Sequence, residues 1–543
     1  MDPACGCGNF LIITYRELRR LELRLLRALR EDDPSQVLDV ALLLRITVDQ
    51  FAGIEIEPFP AEISRVSLWL MDHLCNREAS LEFGQNYARI PIRDTPHILC
   101  ANALTTDWRS LASDAPETRP FSYILGNPPF VGFTYTTPEQ KADMAVIFPK
   151  VKNLDFVAAW YKKAADLIQG TSTRCAFVST NSICQGEQVA PLWPTLPVTI
   201  DFAYRTFKWR NEASGNAAVH CVIVGFSAPQ ASASSGRRKT IYTEDGTPHP
   251  AHNINAYLVD APNVIITSRS KAICDVPPMI YGNKPVDGGN LIIEAKDYDN
   301  FIAQEPNAAK YIKRFVGAQE FLHNEKRYCL WLVGANPSEL SKMPLVLERI
   351  QKCREMRLAS KDDGARKLAS LPSLFRDTKN PDTYIIIPCH SSETRKYVPM
   401  GFMDADSIVG NANLFIPNAK LYHFGLLESR MHMAWMRAVC GRLEMRYRYS
   451  KDIVYNNFIW PEADEVRKAA VTQAAQAVLD ARARYAESTL ADLYDPLTMP
   501  PELSKAHARL DALVDKLYGR VFATDADRVA HLFALYAATV KIM

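Results

Sequence analysis

Asn127-Pro128-Pro129-Phe130 gathers three kinds of chemistry into four residues of a 543-residue chain. The tetrapeptide ends the apolar run Phe121-Ser-Tyr-Ile-Leu-Gly126, which reads as a short strand. Consecutive prolines fix φ and disfavour helix for the residue before them, so Asn127 is held extended at the strand's end. An amide side chain, a proline carbonyl and an aromatic face then share the C-terminal edge of a parallel sheet, where open α/β folds bind ligands. Taken alone, the same residues equally suit a proline-rich strand exit without a function.

Three further groups belong to the same kind of edge. The chain opens Asp2-Pro-Ala-Cys-Gly-Cys-Gly-Asn-Phe10 directly before a helical pattern. Gly6 and Gly8 there let backbone approach a ligand closely, and the helix N-terminus offers unpaired N–H groups. Glu55 ends a second apolar strand, Phe51-Ala-Gly-Ile-Glu-Ile56. A carboxylate in that place of a Rossmann-like unit holds ribose hydroxyls. Asn102 closes a third, Ile98-Leu-Cys-Ala. Cys5 and Cys7 lack further ligands nearby, so no metal site is expected.

The elements that must position these groups follow from periodicity. A helix is expected over 11–30, with Leu18, Leu21, Leu25 and Leu29 on one side and a solvated arginine face on the other. Another runs from Ala61 to His73, with Ile63, Val66, Leu70 and Leu74 assigned to the core. After the Asn-Pro-Pro-Phe turn come a helix from Asp155 and strands at Cys175–Asn181, Val198–Tyr204 and Val219–Phe226. Strands alternating with helices at this spacing specify a mostly parallel sheet. Ser227–Lys239, rich in Ser, Ala and Gly, reads as a surface loop or linker.

Beyond about residue 270 the texture changes to short strands with many prolines and aromatics. Between Ser341 and Met400 twelve Lys/Arg face seven Asp/Glu, and between Leu427 and Lys451 six face two. The second stretch ends Arg442-Leu-Glu-Met-Arg446-Tyr-Arg448-Tyr449-Ser-Lys451. Interleaved Arg and Tyr can meet phosphates and stack on bases; packed tyrosines on a solvated edge would give the same spacing. The segment from 463 to 543 is Ala-rich and helical. A formal net charge of +2 excludes a global polycation, so a nucleic-acid surface must be local. Twelve scattered cysteines suit a reducing cytoplasm, and no apolar run is long enough to span a membrane.

The string Asp-Pro-Ala-Cys-Gly-x-Gly-Asn-Phe resembles the first S-adenosylmethionine motif of adenine methyltransferases, and Asn-Pro-Pro-Phe resembles their catalytic loop. Longer strings carry the resemblance to the MmeI-like restriction–modification family: Val178-Ser-Thr-Asn-Ser-Ile-Cys-Gln-Gly-Glu187, Phe207-Lys-Trp-Arg-Asn-Glu-Ala213, Ser391-Ser-Glu-Thr-Arg395 and Tyr447-Arg-Tyr-Ser-Lys-Asp-Ile-Val-Tyr-Asn-Asn457. The resemblance implies an α/β fold: a Rossmann-like methyltransferase domain (1–269), an α+β target recognition domain (270–462) and a helical C-terminal domain (463–543). It implies S-adenosyl-L-methionine held by Asp2, Ala4, Gly6, Gly8, Asn9, Phe10, Glu55, Ile56, Asn102 and Ala103. Family members often carry Asp where Asn102 stands, reading the cofactor's adenine. Double-stranded DNA is the implied partner, met by Arg442, Arg446, Arg448, Tyr449 and Lys451.

The implied reaction moves a methyl group to the exocyclic amine of a DNA adenine. The Asn127 side-chain oxygen and the Pro128 carbonyl would hold its N–H groups, Pro129 would stiffen the turn, and Phe130 would stack on the extruded base. The family places a nuclease, a spacer and a further cofactor segment upstream of its first motif. Because that motif opens here at residue 2, the first sheet strand is expected to be absent, and the nuclease or upstream segment to be encoded separately or lost. A DNA-recognition fragment or inactive remnant that binds without turnover is the rival from another class. Amine methylation of cytosine, a Pro388-Cys389 nucleophile for cytosine C5 chemistry and a nuclease at Asp287 with Glu294-Ala-Lys296 are weaker rivals.

Overall fold

The computed structural model describes residues 1–32, 43–84, 95–112, 121–208, 220–234, 236, 238–443 and 445–542. The chain forms two compact units, Met1–Ile265 and Ile266–Met543.

Unit one is built on a twisted sheet. Strand β1 (Ala52–Glu55) pairs in parallel with β2 (His97–Cys100), and β3 (Tyr123–Gly126) in parallel with β4 (Arg174–Thr180). Beyond β4 lie β6 (His220–Ser227) and β5 (Thr199–Lys208), then β7 (Lys239–Tyr242) and β8 (Pro248–Ala251), in the order β3-β4-β6-β5-β7-β8. Strand β6 runs antiparallel to both neighbours. Met1 and Asp2 stand where a first strand would join the two halves. Asp2 donates to Ala52 O (2.9 Å) and accepts from Ile54 N–H (3.0 Å), while Met1 O accepts from Leu125 N–H (2.9 Å). Strand order reverses at these two residues, and that switch point is where an open α/β sheet leaves a ligand crevice.

Helix α1 (Asn9–Asp32) begins immediately after Gly8, and α2 (Pro58–Phe83) packs against it. Their buried faces are not the expected ones. Leu21, Leu25 and Leu29 of α1 are more than half exposed, as are Val66 and Leu70 of α2. The inward faces instead carry Leu11, Tyr15, Arg19, Leu23 and Leu26 from α1, with Ser64, Leu68, Asp72 and Asn76 from α2. Buried polar pairs override the leucine periodicity: Tyr15 donates to Asp72 (2.6 Å), and Arg19 donates to Asn76 (2.9 Å) and Ile46 O (2.9 Å). The two terminal nitrogens of Arg19 are matched while its Nε has no partner among the described residues, and the helical phase that buries this side chain turns the leucines outward. Helices α3 (Pro138–Ile147) and α4 (Ala158–Leu167) follow the Asn-Pro-Pro-Phe turn. The expected loop at Ser227–Lys239 contains a helix, Pro229–Ser234.

Among the described residues unit two carries three small sheets. One is ordered β10 (Ile292–Glu294), β12 (Arg327–Leu330), β11 (Ile312–Val316), β16 (Ser407–Val409). The second runs β15 (Gly401–Asp404), β13 (Thr383–Pro388), β17 (Asn413–Pro417), β9 (Ile280–Tyr281). The third joins β14 (His390–Ser391), β19 (Arg446–Arg448) and β18 (Gly441–Leu443). Helices α5 (Leu421–Leu427) and α6 (Arg430–Val439) meet the C-terminal helices α7 (Glu465–Ala483), α8 (Pro501–Leu517) and α9 (Asp525–Ile542). Gly425 lies so close to Val471, Ala475 and Leu510 that a Cβ would press on all three.

Two rival readings meet ordinary structure here. Asp287 is buried at a turn, accepting from Gly289 N–H (3.1 Å) and Leu291 N–H (2.6 Å). Cys389 is buried, and burial pushes its thiol up to about 11, which leaves little thiolate for nucleophilic attack. Among the described residues no group of three or more His, Cys, Asp or Glu side chains could hold a metal ion.

Candidate active site

The carboxyl ends of three strands and the loop between them bring the expected residues of unit one to a single edge. Glu55 is the last residue of β1, Asn102 lies two past β2, and Asn127 follows β3 directly. Asp2 sits among them at the switch point, 1% exposed. Its Oδ1 accepts from Ala4 N–H (3.0 Å), while Oδ2 is buried without a partner among the described residues. Burial pushes Asp2 up to about 7, against the opposing pull of the Ala4 N–H and the Met1 amino group. A side chain on Gly126 would collide with this carboxylate and force it to move.

The loop from Ala4 to Phe10 wraps around Glu55. Gly6 N–H donates to Glu55 Oε2 (2.9 Å) and Glu57 N–H to Oε1 (3.0 Å). Gly6 has φ +53° and open space where a Cβ would project. Gly8, at φ +85°, would drive a Cβ to within 2.6 Å of Ser64 Oγ. Cys5 is buried, and burial raises its thiol to about 12; Cys7 is half-buried. Asn9 is exposed and Phe10 half-buried at the start of α1, and Ile56 is largely exposed beside Glu55.

Asn102 is tied into the chain through both atoms of its amide. Its Oδ1 accepts from Leu104 N–H (2.9 Å) and its Nδ2 donates to Asp143 Oδ2 on α3 (2.8 Å), so the amide serves a turn and a helix. Ala103, buried beside it, accepts from Trp108 Nε1 through its carbonyl (2.8 Å).

At the catalytic turn, Asn127 Oδ1 is buried with no hydrogen-bond partner among the described residues. The chain supplies no donor to this oxygen, and an acceptor buried without any partner costs about 1–3 kcal/mol. Pro128 is buried, Pro129 exposed and Phe130 half-buried. The loop beyond is anchored from β4's side: Phe133 N–H donates to Asp155 Oδ1 (3.2 Å), Phe156 N–H to Val131 O (2.9 Å), and Asp155 N–H to Gln188 Oε1 (2.9 Å). Trp160 donates to Pro3 O (2.9 Å), and Lys163 to Leu104 O (2.9 Å) and Thr106 O (2.6 Å). Sequence reasoning assigned no role to Asp143, Trp160, Lys163 or Gln188, because each acts through hydrogen bonds that only the folded chain creates.

The basic stretch lies in unit two. Along β19 the side chains alternate, with Arg446 and Arg448 exposed and Tyr447 buried between them. Arg442 lies over the Tyr447 ring (4.3 Å to its centre) and donates to its hydroxyl (3.1 Å). Tyr449 corrects the sequence reading. It is 3% exposed with its hydroxyl 2.8 Å from His432 Nε2, an interior residue with no face for DNA. Lys451 pairs with Asp452 (2.5 Å) and lies over the Tyr281 ring.

This arrangement has close relatives. Residues 1–243 match the family model of the MmeI DNA-methyltransferase domain, 260–462 that of the MmeI target recognition domain, and 463–543 that of the MmeI C-terminal domain. The chain belongs to the MmeI family. It is 50% identical to the Type IIL restriction–modification enzyme MmeI, solved in complex with DNA, covering 99% of this chain and 73% of that one with a TM-score of 0.85. It is 41% identical to DNA methyltransferase A of Bacillus subtilis (strain 168) over 98% of this chain, and spans 60% of that relative's length. The MmeI methyltransferase model takes in Asp2, Glu55, Asn102 and Asn127; the MmeI target recognition model takes in Arg442–Lys451. Of the family-like strings, Phe207–Ala213 lies outside the described residues from 209 onward.

Proposed function

We propose that this chain transfers a methyl group from S-adenosyl-L-methionine to the exocyclic amine of adenine in double-stranded DNA, as the modification part of a restriction–modification system. Residues 1–269 carry the chemistry, 270–462 select the target and 463–543 pack as a helical module. Twelve cysteines, none of them in a disulfide among the described residues, suit work in a reducing cytoplasm. The observation that carries the reading is the unbonded, buried Asn127 oxygen at a sheet edge that also holds an orphaned Asp2 oxygen. Both are acceptors without donors, the complement of an amine and of a cationic cofactor.

The residues present fit that cofactor. Asp2 offers a carboxylate to its positive charge, Gly6 leaves open space beside the loop, and Glu55 has oxygens able to accept from ribose hydroxyls while fixing Gly6 and Glu57. When bound, the sulfonium supplies an already electrophilic methyl group. The chain's share is orientation and hydrogen bonding. An aromatic amine is a poor nucleophile because its lone pair is delocalised into the ring. Asn127 Oδ1 and the Pro128 carbonyl accept its two N–H bonds and favour the pyramidal nitrogen of the transition state. Phe130 stacks on a base that must leave the duplex to be reached.

Incubation of plasmid DNA with the chain and S-adenosyl-L-methionine, followed by sequencing that detects modified adenines, tests the proposal. Methylated adenine in one sequence context supports it. DNA binding with no modified base would favour the recognition-only alternative. Replacing Glu55 by Ala should weaken cofactor binding by about 1–3 kcal/mol through lost charged hydrogen bonds. An unchanged dissociation constant by calorimetry would remove Glu55 from the cofactor site.

The paired exposure of Arg446 and Arg448 supports a role for β19 against DNA. Replacing both by Ala should lower affinity and reduce the slope of log affinity against log salt by about 0.9 for each phosphate no longer neutralised. If they read bases instead, the methylated sequence changes. Wild-type affinity, slope and specificity together would return both arginines to the solvent.

A further inference from the structure

We propose that Asp143, not Asn102, recognises the adenine base of the cofactor, an inference that rests on the cofactor reading above. Adenine presents an exocyclic N–H donor next to a ring-nitrogen acceptor, so a site that selects it needs an acceptor beside a donor. Asn102 stands at the expected strand end, but its oxygen already accepts from Leu104 N–H (2.9 Å) and its amide nitrogen donates to Asp143 Oδ2 (2.8 Å). Among the described residues no group donates to the other Asp143 oxygen, and Ala103 N–H donates to no acceptor. A half-used carboxylate and a free N–H thus meet at the end of β2, one hydrogen bond apart through Asn102.

The way α3 is held points in the same direction. None of its residues is buried, so apolar packing does little to place it. Its first turn is closed locally by Thr137 and Gln140, each bonding the other's backbone N–H. The hydrogen bond from Asn102 fixes Asp143 against the sheet edge, 16 residues beyond the catalytic Asn127 in the chain. An ionised carboxylate is a stronger acceptor for the adenine amine than a neutral amide would be. Asn102 is then a positioning residue that holds the carboxylate in register. Because α3 follows the Asn-Pro-Pro-Phe turn, engagement of the adenine would also settle the segment that carries the target-base residues.

The test uses the whole chain and two nucleosides, S-adenosylhomocysteine and S-inosylhomocysteine: the first carries an amine beside an unprotonated ring nitrogen, the second a carbonyl beside a ring N–H. Calorimetry on the wild type should show a preference for the adenosyl form of about tenfold or more, because a carboxylate accepts from the amine and repels the carbonyl. In Asp143→Asn the amide can turn its NH2 toward that carbonyl, so the preference should shrink, with the Ala103 N–H still favouring the unprotonated ring nitrogen of the adenosyl form. In Asp143→Ala affinity for S-adenosylhomocysteine should fall about tenfold with little change for the inosyl form. Both changes lie on a helix with no buried residue, and their circular dichroism spectra should match the wild type. Wild-type binding with an unchanged ratio in both variants overturns the role of Asp143 while leaving the cofactor reading intact. Failure of the wild type to bind either nucleoside overturns the cofactor reading and this inference with it.

Discussion

Asn127→Ala is expected to abolish methyl transfer while leaving cofactor affinity at the wild-type value. The amide lies at the end of β3 with its oxygen buried and unbonded, so the substitution removes no internal hydrogen bond from that oxygen. Neither folding nor the cofactor loop should suffer: Asp2 bonds to Ala4, and Gly6 bonds to Glu55. What disappears is an acceptor whose bond to the target amine strengthens as the nitrogen pyramidalises. Loss of one such group typically costs about 10²–10³ in kcat, and the adjoining Pro128 carbonyl is then left as one acceptor for two N–H bonds. Single-turnover methylation with calorimetry of S-adenosylhomocysteine on the same preparation separates the two effects. Parallel loss of binding and turnover would place Asn127 in the cofactor site; turnover within a few-fold of wild type would remove it from the reaction.

The parts of this site that were legible in the sequence are those where backbone geometry and chemistry coincide. Two prolines and a glycine leave Asn127 few conformations. Gly6 and Gly8 adopt positive φ where the loop demanded it, and Glu55 ends β1 as the strand reading required. What the sequence concealed was set by partners distant in the chain. The outward leucines of α1 depend on Arg19 finding Asn76, 57 residues away. The hydrogen bond that ties Asn102 to a helix depends on Asp143, 41 residues away. Tyr449 sits in an Arg-Tyr alternation that reads as a nucleic-acid stripe, yet its register turns the ring inward onto His432. Periodicity gives the spacing of a face but not which face wins when a buried hydrogen bond competes with apolar area. The place of a first strand was also only half visible, since Met1 and Asp2 make sheet hydrogen bonds to both neighbours.

In unit two the largest effect should come from Arg482. It is 9% exposed on α7, donating to Glu428 Oε1 (2.7 Å), to Met400 O (2.5 Å) and to the Tyr494 hydroxyl (2.8 Å). Glu428 is fully buried at the end of α5 and also accepts from Met400 N–H (2.7 Å); Tyr494 in turn meets His507 Nε2 through its hydroxyl (2.8 Å). Residues of the recognition region and of the terminal helices thus share one buried polar network. Arg482→Ala leaves the Glu428 carboxylate buried without its cation, and breaking a buried pair in this way costs about 3–5 kcal/mol. Glu428 is already raised above the usual carboxylate range, by burial, and losing Arg482 should raise it further. A carboxyl group raised in the folded state is best tolerated below its unfolded pKa and becomes costly as pH rises through its folded value. The deficit of the variant should therefore shrink as pH is lowered toward the range in which Glu428 takes up a proton. Replacing both partners, as in Arg482→Met with Glu428→Gln, removes both charges and should recover much of the loss. Urea unfolding of the four proteins at two pH values gives the coupling, and S-adenosylhomocysteine affinity reports unit one separately. Additive effects of the two single changes would deny the coupling, while DNA affinity that stays at the wild-type level as unit two loosens would mean that recognition does not depend on the terminal helices.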